Sequence, residues 1–163
     1  MKSGKKLHTG AAFLLSQLGA HAAEGFRQRI APLGLTRPHA GILRFIANNP
    51  GCNQLGLAKK LGVLPSRMVI LIDELTAKGL IEQKRRTKDR RHSELVLTTK
   101  GNRTLEKLSQ IGTEHEADLL AALTKKERER LAALGRKIVH QQGLTPDVHP
   151  GFRKLGRSSS DQC

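Results

Sequence analysis

Residues 80–101 read LIEQKRRTKDRRHSELVLTTKG, and this segment limits the possible folds more than any other. Two short apolar runs, Leu80-Ile81 and Leu95-Val96-Leu97, flank a polar stretch dominated by positive charge. Lys84, Arg85, Arg86, Lys88, Arg90 and Arg91 fall within eight positions, against a single acid, Asp89. The pattern predicts a β-hairpin, with Leu95 and Leu97 on one face of the return strand and Glu94 and Val96 on the other. Like charges packed at a hairpin tip repel one another unless an anion meets them. A helical segment over residues 64–78 lies immediately upstream. A helix followed by a basic hairpin is the layout of a winged helix-turn-helix, and the natural polyanion is a DNA backbone. The competing reading of the charge run is a solvated surface.

The rest of the chain agrees with a basic, mainly helical protein. Its 163 residues suffice for one domain with a core, and 29 Lys and Arg against 14 acids give a formal charge of +15. Without Trp or Tyr and with four Phe, the core must be built from Leu, Ile, Val and Ala, a composition that favours helices. No stretch reaches transmembrane length, and MKSGKKLHTG leads into a modest helix rather than a signal segment, so a soluble cytoplasmic protein is expected. Cys52 and Cys163 are far apart and show no metal-ligand spacing, which predicts two reduced thiols. Cys52, beside a helix start, is the candidate for redox sensing.

The first helix is expected over residues 9–32, with Leu14, Leu18, Ala22, Phe26 and Ile30 forming one stripe. A second helix follows over 37–48, with Pro38 in its first turn and Ile42, Leu43, Phe45 and Ile46 inward. Asn53 caps a third over 54–61, burying Leu55, Ala58 and Leu61, and Gly62 closes it. A fourth opens at Leu64-Pro65-Ser66, with Met68, Leu71, Ile72 and Leu75 at helical spacing and Gly79 as its end. Two helices joined at Gly62 fit a helix-turn-helix. A fifth helix runs from Thr98-Thr99 to near Leu123, with Leu105, Leu108, Ile111, Leu119 and Leu120 as its stripe. Thr124-Lys125-Lys126-Glu127 is a capping box for a sixth, which carries Leu131, Leu134 and Ile138 and ends near Gly143. The Pro-, Gly- and Ser-rich residues 143–163 are expected to be a mobile tail or an arm that docks on a partner, and residues 1–8 to be flexible. The winged core, about 37–98, is self-sufficient. The flanking helices, 9–32 and 99–142, carry stripes that no single helix can bury, so they are expected to pack together and against a second copy.

LAKKLGVLPSRMVILIDELTAKGLIEQKRRTKDRRHSELVLTTKG resembles the core of the MarR family of bacterial transcriptional regulators. The matching pieces are LA-x-x-LGV at 57–63, D-x-L-x-x-x-GLI at 73–81, DRR at 89–91 and L-x-LT-x-KG at 95–101. LTKKERERLAAL, at 123–134, is similar to the family's last helix, so the resemblance spans residues 9 to about 142. It implies a homodimer whose dimerisation region is built from both chain ends, with two winged modules reading a pseudo-palindromic operator. It also implies a repressor released by a small effector, commonly an aromatic acid, a phenol or an oxidant.

In such a module the recognition helix enters a major groove N-terminus first. That nominates Pro65, Ser66, Arg67, Met68 and Ile70. Arg67 would read guanine or meet a phosphate; Ser66 would meet a phosphate or cap the helix. Ile70 stands where the family often has Arg or another polar group, and would touch a thymine methyl or face the core. Arg90 is the candidate for minor-groove insertion. By resemblance Asp89 and Arg91 brace the wing, while Lys84, Arg85, Arg86 and Lys88 supply phosphate contacts. Arg37 and His39, opening the second helix, would reach the backbone. Family pockets lie between the dimerisation helices and the winged core, where Phe13, His21, Phe26, Arg44 and Phe45 are candidates. Glu114, His115, Glu116 and Asp118 read as a solvated helix face rather than a metal cluster. Gly112 and Gly135 mark close helix crossings or kinks. No nucleophile–base pair, phosphate loop or cofactor motif is present, so no enzyme, cofactor or metal is expected. The alternative function is a sequence-tolerant architectural DNA binder.

Overall fold

Four helices begin where the sequence supplies a capping side chain. A computed structural model of the chain describes residues 9–86, 89–145, 148–149 and 151–152, with the backbone alone at 85, 86 and 89–92. The N-caps are Thr36 for α2 (Arg37–Asn48), Asn53 for α3 (Gln54–Leu61), Thr98 for α5 (Thr99–Leu119) and Thr124 for α6 (Lys125–Gln141). Each accepts a hydrogen bond from an N–H of the first turn that would otherwise lack a partner. Thr124 and Glu127 close the expected capping box, and the hydroxyl and N–H of Thr124 hold the Glu127 carboxyl below its usual pKa. Two helices lack a side-chain cap: α1 (Ala11–Ile30), which a 3-10 turn over Ala31–Leu33 ends, and α4 (Pro65–Ala77).

The α3–α4 turn is set by Gly62, whose φ of 66° lies in the left-handed region. After α4 the chain forms one antiparallel hairpin, β1 (Ile81–Arg86) with β2 (Asp89–Leu97). Ile81 pairs with Leu97, Lys84 with Glu94 and Arg86 with Asp89, with an irregularity between Arg85 and Arg86. The strands therefore run well beyond the two apolar runs. Ladder pairing carries the basic stretch into regular structure: Ile81 and Leu95 are buried at the base of the hairpin, while Glu82, Gln83 and Lys84 are exposed.

The core sits where α2, α3, α4 and the base of the hairpin meet. Ile42, Leu43, Leu57, Met68, Leu71, Ile72 and Leu75 are all buried, joined by Ile30 from α1 and Leu108 from α5. One expected core residue is wrong: Leu55 is 69% exposed, and Leu57 is buried instead. Two turns of helix fix no phase from apolar spacing alone; packing of α3 on α4 chose the face. Helix α5 stops at Leu119, short of the expected end.

Helix α5 crosses the base of the wing at Gly101. A Cβ there would collide with the Leu80 carbonyl oxygen, so only glycine permits the approach. The Thr98 hydroxyl donates to the Gly79 carbonyl at 2.7 Å, and the Thr98 N–H to the Leu80 carbonyl at 3.1 Å. The wing exit is thus tied to the end of the recognition helix.

Three observations concern the helices and tail that flank the winged core. Helix α6 buries none of its residues, and Phe13, Leu14, Leu15 and Leu18 of α1 are exposed. Neither Gly112 nor Gly135 sits at a close crossing within the chain; the tight approach of α1 to α5 is at Gly25, beside the His115 ring. The tail does not simply leave the molecule: Phe152 is buried in the chain's own core, with Val148 half-buried beside it. The flexible N-terminus expected over residues 1–8 and the end of the tail, 153–163, lie outside the described residues.

Candidate nucleic-acid interface

Helix α4 has two faces. Met68, Leu71, Ile72 and Leu75 point into the core, which leaves Ser66, Arg67, Val69, Ile70 and Asp73 outward. Pro65, Ser66, Arg67 and Ile70 are exposed as a base-contacting set requires. Met68 is completely buried and must be removed from that set. Its side chain holds α4 against the core. Val69, 42% exposed, takes its place on the outer face, and the signal was legible: fixing 68, 71, 72 and 75 inward forces 69 outward. Ser66 does not cap the helix, since Leu64 is the N-cap and makes no side-chain bond. The first N–H groups of α4 therefore stay open to an anion.

Arg37 is exposed at the first position of α2. His39 is not available to DNA: it is 3% exposed. Its Nδ1 accepts from the Thr36 N–H at 3.2 Å, and its Nε2 lies 2.7 Å from a carboxylate oxygen of Glu74 in α4. With Nδ1 an acceptor, Nε2 carries the proton and donates to Glu74. The residue that looked like a backbone contact instead pins α2 to the recognition helix.

On the wing, Lys84 is exposed on β1 and lies 3.3 Å from Glu82, an exposed pair of little energetic weight. Arg86 and Asp89 face each other in the backbone register beside the tip. Lys88 and the side chains of Arg85, Arg86, Asp89, Arg90 and Arg91 lie outside the described residues.

Between α1 and α5 is an open cavity of about 430 Å³ lined by His21, Gly25, Gln28, Arg29, His115, Asp118 and Leu119. Of the expected pocket residues only His21 belongs to it. Phe26 and Phe45 pack on the core, Phe13 is exposed, and Arg44 does not line it. Arg29 donates to Asp118 at 2.6 Å, Gln110 to Glu114 at 2.9 Å, and the His115 ring lies 6.0 Å from that of Phe26. The acidic stretch of α5 is thus engaged in ordinary surface contacts, and no metal-ligating cluster is found among the described residues. Cys52 is free and half-buried, and burial pushes its thiol pKa up, which lowers the thiolate fraction that sensing needs. Among the described residues no helix is long and apolar enough to cross a membrane.

A tight two-helix unit, an exposed recognition face and a two-stranded basic wing together define a winged helix-turn-helix DNA-binding protein. Comparison with known proteins narrows this further. The MarR family profile matches residues 33–92. The chain is 33% identical over 141 residues to the "Putative transcriptional regulatory protein for hcr operon" of Thauera aromatica, covering 82% of this chain and 85% of that one. It is 30% identical to the transcriptional repressor CouR, solved bound to a 23-mer DNA duplex, with a TM-score of 0.71 over 85% of this chain and 99% of the other. The fold is also similar to that of the Mycobacterium tuberculosis MarR family protein Rv2887, solved in complex with salicylic acid, at 24% identity and a TM-score of 0.66 over 80% and 97% of the two chains. The chain belongs to the MarR family and is a transcriptional regulator, not an enzyme.

Proposed function

We propose that the protein acts as a homodimer on a pseudo-palindromic operator and represses transcription until a small ligand releases it. The observation that carries this reading is α6: an amphipathic helix of 17 residues that buries nothing within its own chain. Leu131, Leu134, Ile138 and Val139 on α6 and Phe13, Leu14, Leu15 and Leu18 on α1 are between 38% and 62% exposed. An isolated domain does not leave two apolar faces in water; a second copy covering them gives the isologous contact of a twofold dimer. Twofold symmetry then presents two α4 helices to half-sites about 10 bp apart.

In each module Pro65, Ser66, Arg67, Val69 and Ile70 approach base edges. Arg67 is the side chain able to pair bidentately with guanine, and Ile70 and Val69 would meet thymine methyls. Arg37, Lys84, Arg85, Arg86, Lys88 and Arg91 contact phosphates, Asp89 braces the wing, and Arg90 enters the minor groove. The DNA complex of CouR and the salicylic acid complex of Rv2887 support operator binding and response to a small, flat anion.

The test is binding of the purified protein to its own upstream intergenic DNA and to a shuffled fragment, across a salt series. A specific regulator prefers the intergenic DNA at every salt concentration and protects two half-sites. Equal affinity for both, lost together as salt rises, means either a sequence-tolerant architectural binder or a regulator whose site lies elsewhere.

A further inference from the structure

The outer face of α4 is apolar at its middle turn. Met68, Leu71, Ile72 and Leu75 fix the inward direction of the helix. At about 100° per residue, Ile70 lies about 30° and Val69 about 70° from the direct outward line, on opposite sides of it. Ser66 and Asp73 stand near the same line, each about one turn away, and Arg67 projects from the flank, about 90° off. Between Ser66 and Asp73 the face therefore presents two β-branched side chains, neither of which can donate or accept a hydrogen bond.

Val69 is 42% exposed and Ile70 45%. Neither serves the helix itself: β-branched residues are poorer helix formers than Leu, Glu or Lys, and neither joins the core cluster. Both are stiff about χ1 in a helix, so their methyl groups are held in place before DNA arrives and little side-chain entropy is lost on docking. An apolar side chain in a major groove buries base-edge donors and acceptors without replacing their hydrogen bonds, which costs affinity. The C5-methyl group of thymine is the apolar feature of that groove, and contact with it offsets the cost. Cytosine carries a hydrogen at the same carbon. With no donor or acceptor, Val69 and Ile70 cannot tell the O4 of thymine from the N4 amine of cytosine.

We propose that Val69 and Ile70 read the C5-methyl group of pyrimidines itself, so that 5-methylcytosine satisfies them as thymine does, while cytosine and uracil do not. This deepens the reading of α4 as the helix that meets base edges, and rests on it.

Full-length protein is titrated, by fluorescence anisotropy, onto its own upstream intergenic DNA and onto a shuffled fragment, each prepared with thymine or with uracil throughout. Uracil differs from thymine only in lacking the methyl group. Wild type should bind the thymine form of the intergenic DNA more tightly, by about fourfold for each methyl group covered. Val69→Ala with Ile70→Ala removes the reading groups from an exposed face, so the fold should persist. Its affinities for the two forms should then agree within about twofold, the scatter of uncoupled changes. Equal binding of the two forms by wild type overturns the proposal. So does a preference for thymine that the double variant keeps, since such a difference arises from DNA shape. Single-base substitutions need wild type alone and decide if the double variant does not fold. At a thymine where uracil weakens binding, 5-methylcytosine opposite guanine should bind about fourfold more tightly than cytosine opposite guanine. Equal binding of the two cytosines also overturns the proposal. Preference for the intergenic fragment with no response to the methyl group leaves the specific regulator standing and sinks methyl reading. A methyl response without preference for the intergenic fragment over the shuffled one upholds methyl reading and removes the operator from that DNA.

Discussion

A methyl group at position 101 has no room. The Leu80 carbonyl already accepts the Thr98 N–H, so it cannot swing aside without opening the junction of wing and α5. Gly101→Ala should therefore destabilise by about 3 kcal/mol, the upper end of the overpacking range, because the obstacle is backbone rather than a mobile side chain. Urea unfolding with an unchanged m-value would show it; a loss below 1 kcal/mol, within the lower limit for overpacking, would mean the crossing yields. Glu74 offers a second test at single-residue scale. Its carboxylate is 45% exposed, yet the imidazole it accepts from is buried. Glu74→Ala leaves the His39 Nε2–H without a partner, at a cost of about 1–3 kcal/mol. Glu74→Gln keeps an oxygen acceptor and should lose less than half of that. Equal losses in the two variants would show that water replaces the carboxylate.

At the scale of elements, the proposed function gives the wing and α6 separate tasks, DNA contact and dimerisation. If Lys84 meets a phosphate as proposed, Lys84→Ala should weaken binding to all sequences alike, while Arg90→Ala should weaken binding and also lower the preference for A·T pairs under the wing. A uniform loss in both would remove Arg90 from the minor groove. Leu134→Glu with Ile138→Glu puts two charges on a face that is already open in the single chain, so the fold should survive. Each side chain would forfeit about 1.5–3 kcal/mol of burial in the dimer. Sedimentation should show monomers with poor DNA affinity; intact dimers would place the interface elsewhere. Most of these elements were legible because local chemistry sets them. Asn53, Thr98 and Thr124 at helix starts and the positive-φ turn at Gly62 are determined within four residues of sequence; the Thr36 cap of α2 obeys the same rule and was missed beside Pro38. Two misplacements depend on distant partners. Leu55 and Leu57 differ by the packing of α3 on α4, and His39 was drawn inward by an acid 35 residues away. Met68 cannot serve both core and groove, and there the helical phase alone decides for the core. Phe152 was hidden because Pro, Gly and Ser around it describe a loop, and no local rule reveals where a loop's one aromatic docks.

At the scale of the whole molecule, charge and apolar surface act against each other. Each chain carries +15, so two chains paired through α1 and α6 as proposed would concentrate +30 in one particle. The apolar faces favour association, and the summed positive field opposes it. Salt screens that field: the Debye length shortens from about 30 Å at 0.01 M to about 10 Å at 0.1 M. Dimerisation without DNA should thus strengthen as salt rises. DNA binding should weaken over the same range, because each phosphate neutralised by Lys or Arg releases counterions and makes log K fall with log[salt] at about −0.9 per contact. The two salt dependences carry opposite signs. Sedimentation equilibrium of the free protein and fluorescence anisotropy of a labelled operator, in matched buffers, would measure both. At low protein and low salt the operator-binding curve should turn sigmoidal, as monomers pair only on the polyanion that cancels their repulsion. A dimer constant that falls with salt would mean that ion pairs, rather than the exposed leucines and isoleucine of α1 and α6, hold the two copies together.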